Sequence, residues 1–453
     1  MPIFRFNNHY HGNVFPRRHL LCVAVLWGTI LTPQTGFCEA SAPVKTLSLS
    51  QVISLAESRS AELQSVCSQQ FAAAGTLKDA QAWMFNNPEI TLEYRQRDLA
   101  QSNGPDVRRN DTGFGISQTF ELGGQQRARR DAATASLDAA QQAWSDSRRQ
   151  IRAETETQFI KLLAAQNRIE IDEQALVLLR QGSDLVQKRV GAGEESRLNG
   201  NLARVEMERS ANQLAQDEEL RSQARSDLAT LLQLSLDDVP SVIGELNDDD
   251  THYSISELLA SSERHPRLNA LTDQERAAQQ RLKIEQGATY PDLTVGLSYS
   301  PERGIDGQDN VTTLSFSLPL PLFQRNAKGV GQALTDLNQA SIAHQSMVQS
   351  TRAQVRALWQ RLLSLQKRST RLKNTIVSGL VENQALSLKA LQAGEIGLPQ
   401  FLLIRRQLLD SRLEWLDART ELRLTRIALE YQAGWPEQLE PLPHTTCSQD
   451  TLP

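Results

Sequence analysis

The chain has 453 residues, a formal net charge of -5, 22% charged residues, only 5% aromatics and a mean hydropathy of -0.42. Length alone suggests about three domains, but so few aromatics supply several compact cores poorly and suit long helices that expose much of their surface. A mildly acidic chain with no basic cluster gives no reason to expect nucleic acid as a partner.

At the N-terminus, Arg17, Arg18 and His19 precede an apolar run from Leu20 to Leu31 and the small residues Ala40-Ser41-Ala42. This reads as a secretory signal peptide over residues 1–40, too short to span a bilayer as a helix. Its removal takes Arg5, Arg17, Arg18 and Glu39 and moves the net charge from -5 to -7. Cys38 follows Phe37 where a lipidated cysteine wants a small neighbour, which argues against lipidation. Cys67 and Cys447 remain in the exported chain; an oxidising compartment permits a bond, but two cysteines this far apart establish no disulfide framework. No later segment approaches 18 consecutive apolar residues, so any membrane passage must be made by strands.

The first helix is announced by Ser48-Leu49-Ser50-Gln51, a capping-box pattern, followed by Val52, Leu55, Ala56 and Leu63 at helical spacing. The device recurs at Ser254-Ile255-Ser256-Glu257. Further matches keep the same order: Asn87-Pro88-Glu89-Ile90 with Tyr290-Pro291-Asp292-Leu293, Arg152-Ala153 with Arg352-Ala353, and Ala192-Gly193-Glu194 with Ala393-Gly394-Glu395. The chain is an internal duplication: a first repeat over 41–240, a linker over 241–253 with the acidic run Asp248-Asp249-Asp250, a second repeat over 254–435 and a proline-rich tail over 436–453.

Each repeat reads as helix, strand, loop, strand, very long helix, turn, returning helix. The strands are expected at about Pro88 to Arg97 and Thr112 to Leu122, then Pro291 to Pro301 and Val311 to Leu320. Alternation sorts Ile90, Leu92, Tyr94, Phe114, Ile116, Leu293, Val295, Leu297, Leu314 and Phe316 onto one face, with Thr91, Glu93, Gly113, Gly115, Thr294, Gly296 and Ser298 on the other. A half-buried strand of a soluble sandwich fits this pattern as well as a membrane strand does. Runs of about 9 to 11 residues can cross a bilayer at a tilt, yet four strands cannot close a barrel, so membrane-spanning strands require several chains to share one.

The segment from Arg127 to Arg189 lacks proline and would extend about 90 Å as one helix, with a partner from about Ala327 to Gln392. Apolar residues fall seven apart at Leu137, Trp144 and Ile151, at Leu162, Ile169 and Leu176, and at Leu358, Leu365 and Leu372, which is coiled-coil spacing. Glycine-bearing tips follow at Val190-Gly191-Ala192-Gly193-Glu194 and Leu391-Gln392-Ala393-Gly394-Glu395, with Ser196 and Pro399 suited to start the returning helices.

This order of duplicated elements resembles the TolC family of outer-membrane efflux proteins over nearly the whole exported chain. Phe120-Glu121-Leu122-Gly123-Gly124-Gln125 and Leu318-Pro319-Leu320-Pro321-Leu322-Phe323-Gln324-Arg325-Asn326 look like its cobalt-zinc-cadmium heavy-metal resistance branch. The resemblance implies an α+β membrane protein: a homotrimer whose twelve strands share one transmembrane β-barrel in outer-membrane lipid, continuous with a long α-helical periplasmic barrel. It further implies passive conduction of divalent heavy-metal cations, driven by an inner-membrane resistance-nodulation-division transporter through a periplasmic adaptor. Drug efflux and type I secretion are the alternative cargoes, and a soluble periplasmic coiled-coil binding protein is the alternative class.

On this resemblance the tip residues Val190, Gly191, Ala192, Gly193, Glu194, Leu391, Ala393, Gly394 and Glu395 contact the adaptor. Ile90, Leu92, Tyr94, Leu293, Val295, Leu297, Leu314 and Phe316 then face lipid. Some relatives place an aspartate just after the tip, where Asn199 and Gln400 stand here; Glu194, Glu195 and Glu395 are the nearby acids. No HExxH, CxxC or nucleophile elbow appears, so no catalytic residue, cofactor or bound metal is expected. His252, His265, His344 and His444 are scattered, and His344 shares the register of Leu337, which suggests packing.

Overall fold

The computed structural model describes residues 46–101, 104–235, 241–246, 253–304, 307–436 and 438–439. The signal segment, Cys38, Cys447, His252, His444, the acidic run and most of the tail therefore lie outside the described residues. Among the described residues no helix is long and apolar enough to cross a membrane.

Element order follows the duplication. The first repeat runs β1 (Thr46–Leu47), α1 (Leu49–Arg59), α2 (Ala61–Ala80), β2 (Glu89–Gln101), β3 (Gly104–Phe120), α3 (Gln125–Gly191) and α4 (Arg197–Leu232). After β4 (Ser241–Val242), the second runs α5 (Ile255–Ser262), α6 (Pro266–Gly287), β5 (Leu293–Arg303), β6 (Gln308–Ser317), α7 (Ala327–Arg371), a π-helical turn (Leu372–Val377), α8 (Ser378–Ala393) and α9 (Leu398–Ala433). Both capping boxes form, at Ser48 with Gln51 and at Ser254 with Glu257.

The expected opening helix is interrupted. Ser60 leaves helical geometry and its side chain accepts from the Leu63 N–H, so Val52 and Leu63 belong to successive helices. His265-Pro266 makes the equivalent break in the second repeat, because proline suits a first helical turn and cannot continue a preceding one. His265 Nδ1 accepts from the Arg267 N–H at 3.1 Å and its Nε2 donates to the Tyr431 carbonyl at 2.9 Å. Burial holds that imidazole below its ordinary pKa, which keeps it the neutral tautomer this geometry requires.

At 67 residues α3 spans about 100 Å. Its counterpart is not one α-helix: α7 and α8 are joined through the π-helical turn, a one-residue expansion that side-chain periodicity does not encode. The seven-residue spacing does mark packing. Ile151, Leu162, Ile169, Leu176, Leu365 and Leu372 are buried, and Leu137, Trp144 and Leu358 are half-buried.

Around mid-length, Phe159, Leu162 and Leu163 of α3 meet Val52 and Ala56 of α1, Leu228 and Leu232 of α4, and Leu416 and Ile427 of α9. Val242 and Leu246 enter the same cluster, and β1 pairs in parallel with β4, so part of the segment read as a linker is built into the core. Cys67 is buried and disulfide-bonded.

The four long strands form one antiparallel sheet in the order β2-β3-β5-β6. Their ends differ from expectation. The first hairpin extends to Gln101 and Gly104, with Leu99 opposite Val107 and an Asp98–Arg108 pair at 3.0 Å, so the polar stretch read as a loop is mostly strand. The last strand stops at Ser317 rather than Leu320, since Pro319 and Pro321 have no N–H to donate to a ladder.

Two contacts fix where sheet becomes helix. Arg129 grips Glu121 through both guanidinium nitrogens at 2.7 and 2.9 Å and lies 3.6 Å above the Phe85 ring. Gly123 packs against the Gly287 backbone so closely that a Cβ would drive into the Gly287 carbonyl. In the second repeat Asn326 takes the left-handed N-cap conformation and donates to the Glu285 carbonyl at 3.0 Å and to its carboxylate at 2.7 Å.

One buried charge cluster was invisible in the sequence. Asp172 of α3 and Asp217 of α4 are each 1% exposed and within hydrogen-bonding reach of one another. Burial, with Asp217 beside it, pushes the Asp172 carboxyl up to about 7. One shared proton reconciles the two acids, and Gln213 donates to Oδ2 of Asp217 at 3.3 Å.

Two outcomes are expected. Gly123→Ala should destabilise the junction by about 1–3 kcal/mol, read as lost thermal stability of the folded protein. Because the Asp172 pKa is raised on folding, its contribution is fully present below about pH 4 and lost as pH rises through about 7. Asp172→Asn, which donates without titrating, should raise the melting temperature at pH 8 by about 2 °C or more and not at pH 4; an equal shift at both pH values refutes the shared proton.

Candidate functional site: a two-faced sheet and paired hairpin tips

The strand register aligns residues of like character across the sheet. Ile90 stands opposite Ile116, Ile116 opposite Leu297, and Leu297 opposite Leu314. One residue along, Thr91, Gly115, Ser298 and Thr313 make a row of small polar groups. Alternation thus gathers Ile90, Leu92, Tyr94, Leu293, Val295, Leu297, Leu314 and Phe316 on one face and Thr91, Glu93, Thr294, Gly296 and Ser298 on the other.

Among the described residues no second layer covers the apolar face. Leu92 is 84% exposed, Ile90 74% and Phe316 67%, and every residue of β6 is exposed. The sandwich reading required burial of this face, which the structure does not provide. Both outer strands, β2 and β6, leave one side of their backbone unpaired among the described residues.

At the opposite end, the tips of the two hairpins share one cluster. Val186 and Val190 of α3, Ala203 of α4, Leu391 of α8 and Leu398 and Phe401 of α9 pack together, with Ile396 against them. Gly193 and Gly394 take φ of +77° and +78°, a left-handed conformation that ends each outgoing helix at little cost only for glycine. Gly191, Ala192, Gly193 and Glu194 are exposed, as are Ala393, Gly394 and Glu395; Val190 and Leu391 are half-buried beneath them.

The tip acids are not equivalent. Glu195 accepts from the Asn199 amide at 2.8 Å and the Ser196 N–H at 3.1 Å, and these bonds hold its carboxyl below the usual range, so it braces the start of α4. Glu194 reaches only Arg189, at 3.7 Å, and Glu395 lies exposed. Leu198, 75% exposed at the start of α4, is an exposed apolar side chain beside the first tip that the sequence reading did not single out; an apolar residue just after a helix cap was the available signal.

His344 does pack between helices, its Nδ1 2.9 Å from Glu275 of α6. Among the described residues no group of three His, Cys, Asp or Glu side chains is placed to hold a metal ion.

Comparison with known proteins agrees with this architecture. The family model described as outer membrane efflux protein matches residues 52–233 and 258–434. A cobalt-zinc-cadmium resistance protein, CzcC, of Cupriavidus metallidurans is 25% identical over 379 residues, covering 83% of this chain and 87% of that protein. A membrane protein from Pseudomonas aeruginosa superposes with a TM-score of 0.73 at 18% identity, covering 85% of this chain and 92% of its own. The outer membrane protein VceC of Vibrio cholerae gives 0.72 at 19% identity, covering 85% and 96%. A structure of CusC gives 0.71 at 16%, covering 85% and 91%. With more than half of its residues matched in two successive copies, the chain belongs to the outer membrane efflux protein family, as a TolC-like outer-membrane channel protein.

Proposed function

We propose that this protein is the passive outer-membrane conduit of a heavy-metal efflux pump, working as a homotrimer with a periplasmic adaptor and an inner-membrane transporter of the resistance-nodulation-division type. The observation that carries the reading is the single-layered sheet, apolar on one face and small or polar on the other, with both edges open. Three copies joined edge to edge, β6 to the next β2, make twelve strands, which satisfies every edge and turns one face to lipid and one to water.

In that arrangement Ile90, Leu92, Tyr94, Leu293, Val295, Leu297, Leu314 and Phe316 contact lipid. The exposed tips, Val190 to Glu194 with Leu391, Ala393, Gly394 and Glu395, offer the adaptor two adjacent turns on one apolar base. The chain performs no catalysis and needs no cofactor, since the inner-membrane partner supplies the energy. Metal cargo is supported by the likeness to a protein named for cobalt, zinc and cadmium resistance. A lining of weak polar contacts suits that cargo, because a conduit must release what enters it.

Two measurements test the reading. Val295→Arg places a charge on the lipid side at a cost of about 2–4 kcal/mol near the midplane and should reduce heat-resistant trimer in outer-membrane fractions; undiminished trimer argues against lipid contact there. A deletion strain complemented by the intact gene should be selectively sensitive to one or two of cobalt, zinc, cadmium, copper and silver. Sensitivity to dye and detergent alone would reassign the cargo to drugs.

A further inference from the structure

The polar face of the sheet changes character along its length. Toward the helices, apart from Glu89 at the start of β2, it carries short side chains, Gly113, Gly115, Ser117, Gly296 and Ser298, several so close that a Cβ would crowd the neighbouring strand. Toward the hairpin loops the same face carries long charged ones, because Glu93, Arg95, Arg97, Asp111 and Glu302 share its alternation.

These five side chains form one connected network across β2, β3 and β5. Arg97 bonds Asp111 at 2.6 Å and Glu302 at 3.3 Å, while Arg95 bonds Glu302 at 3.5 Å and Glu93 at 3.0 Å. Asp111, with its side chain 1% exposed, also accepts the Arg303 backbone N–H at 3.0 Å, where β3 and β5 have run past their last paired residues, Phe114 and Tyr299. The side chain thus replaces a missing ladder bond and is fixed in place.

Three carboxylates against two guanidinium groups leave one net negative charge per chain. Arg109 and Asp309, on the same face at this level, add one charge of each sign and do not alter that excess. Arg95 and Glu93 remain about half exposed and extend from the face beside Gly113, Ser300 and Val311, none of them charged.

We infer that this network is a charged collar at the loop end of the conduit that narrows it and weights passage toward inorganic cations over anions. The inference rests on the conduit reading above, and it locates ion preference at the outer end of the sheet rather than at the hairpin tips. A collar in place of a single acid has a physical advantage: mutually paired charges hold a fixed geometry, and the unbalanced carboxylate supplies the field without binding a cation tightly.

The test is the reversal potential of the purified full-length protein in planar bilayers under a potassium chloride gradient. Arg95→Gln leaves Glu302 paired to Arg97, and Glu93→Gln leaves Arg95 paired to Glu302, so neither orphans a buried charge. Arg95→Gln should raise the cation-to-anion permeability ratio about two- to five-fold, the scale of one unit charge a few ångströms from a permeant ion in water, and Glu93→Gln should lower it comparably. Asp98→Asn, on the opposite face and paired with Arg108, should leave the ratio unchanged. Wild-type ratios in both Arg95 and Glu93 variants, in channels of normal assembly, overturn the collar alone. Absence of any channel activity in the wild type overturns the conduit reading and the collar with it.

Discussion

A four-stranded antiparallel sheet with no second layer among the described residues must account for two unpaired edges and one uncovered apolar face, and the rest of the described structure is arranged around that requirement. Backbone groups cannot be left unpaired in hydrocarbon, so such a sheet is compatible with lipid only as part of a closed ring. The chain cannot close that ring itself. Its strands run 10 to 17 residues, long enough for a tilted crossing, while four of them fall well short of the smallest membrane barrels. On the proposed reading, self-association follows from strand count and face chemistry together.

The helices inherit their geometry from the sheet through the two junctions. Strands lie about 4.8 Å apart and packed helices about 8–10 Å apart, so the transition between them must be held by specific contacts. The first junction uses Gly123 against Gly287 and the Arg129–Glu121 fork; the second uses Asn326 against Glu285. These lie in or beside the two stretches that resemble the heavy-metal branch, which gives those residues a structural reason to be there whatever the cargo is. Cargo assignment therefore draws its support from the relative and not from the junction geometry.

What could be read in the sequence is what depends on local period. Alternation places Ile90 and Leu92 on the face opposite Thr91 because successive side chains in a strand must diverge, and seven-residue spacing buries Ile151, Leu162 and Leu365 because helical turns repeat. Glycine at 193 and 394 announced the tips because few other residues accept a positive φ. Missed were features decided by partners distant in sequence. The π-helical turn at Leu372–Val377, the Asp172–Asp217 contact between α3 and α4, and the burial of Val242 and Leu246 all arise from helices meeting across the bundle. Strand ends were missed for a related reason: Gly104 to Asp111 looks like turn chemistry in isolation and becomes strand because Asp98 pairs with Arg108 and Leu99 with Val107.

The distribution of charge completes the argument. Charged groups at the hairpin tips are exposed or engaged in capping, as Glu194 and Glu195 are, and two exposed acids on mobile-length side chains are strongly screened by water. In the sheet, by contrast, Asp111 is buried and held by two donors, and the paired arginines and glutamates around it are tied across three strands. A fixed charge surrounded by low-dielectric wall acts on a passing ion more strongly than a screened charge on a solvated turn. On the conduit reading, the same sequence alternation that suits one face to lipid makes the other the place where ion preference can be built, and the connected charge network lies at the end farthest from the helices.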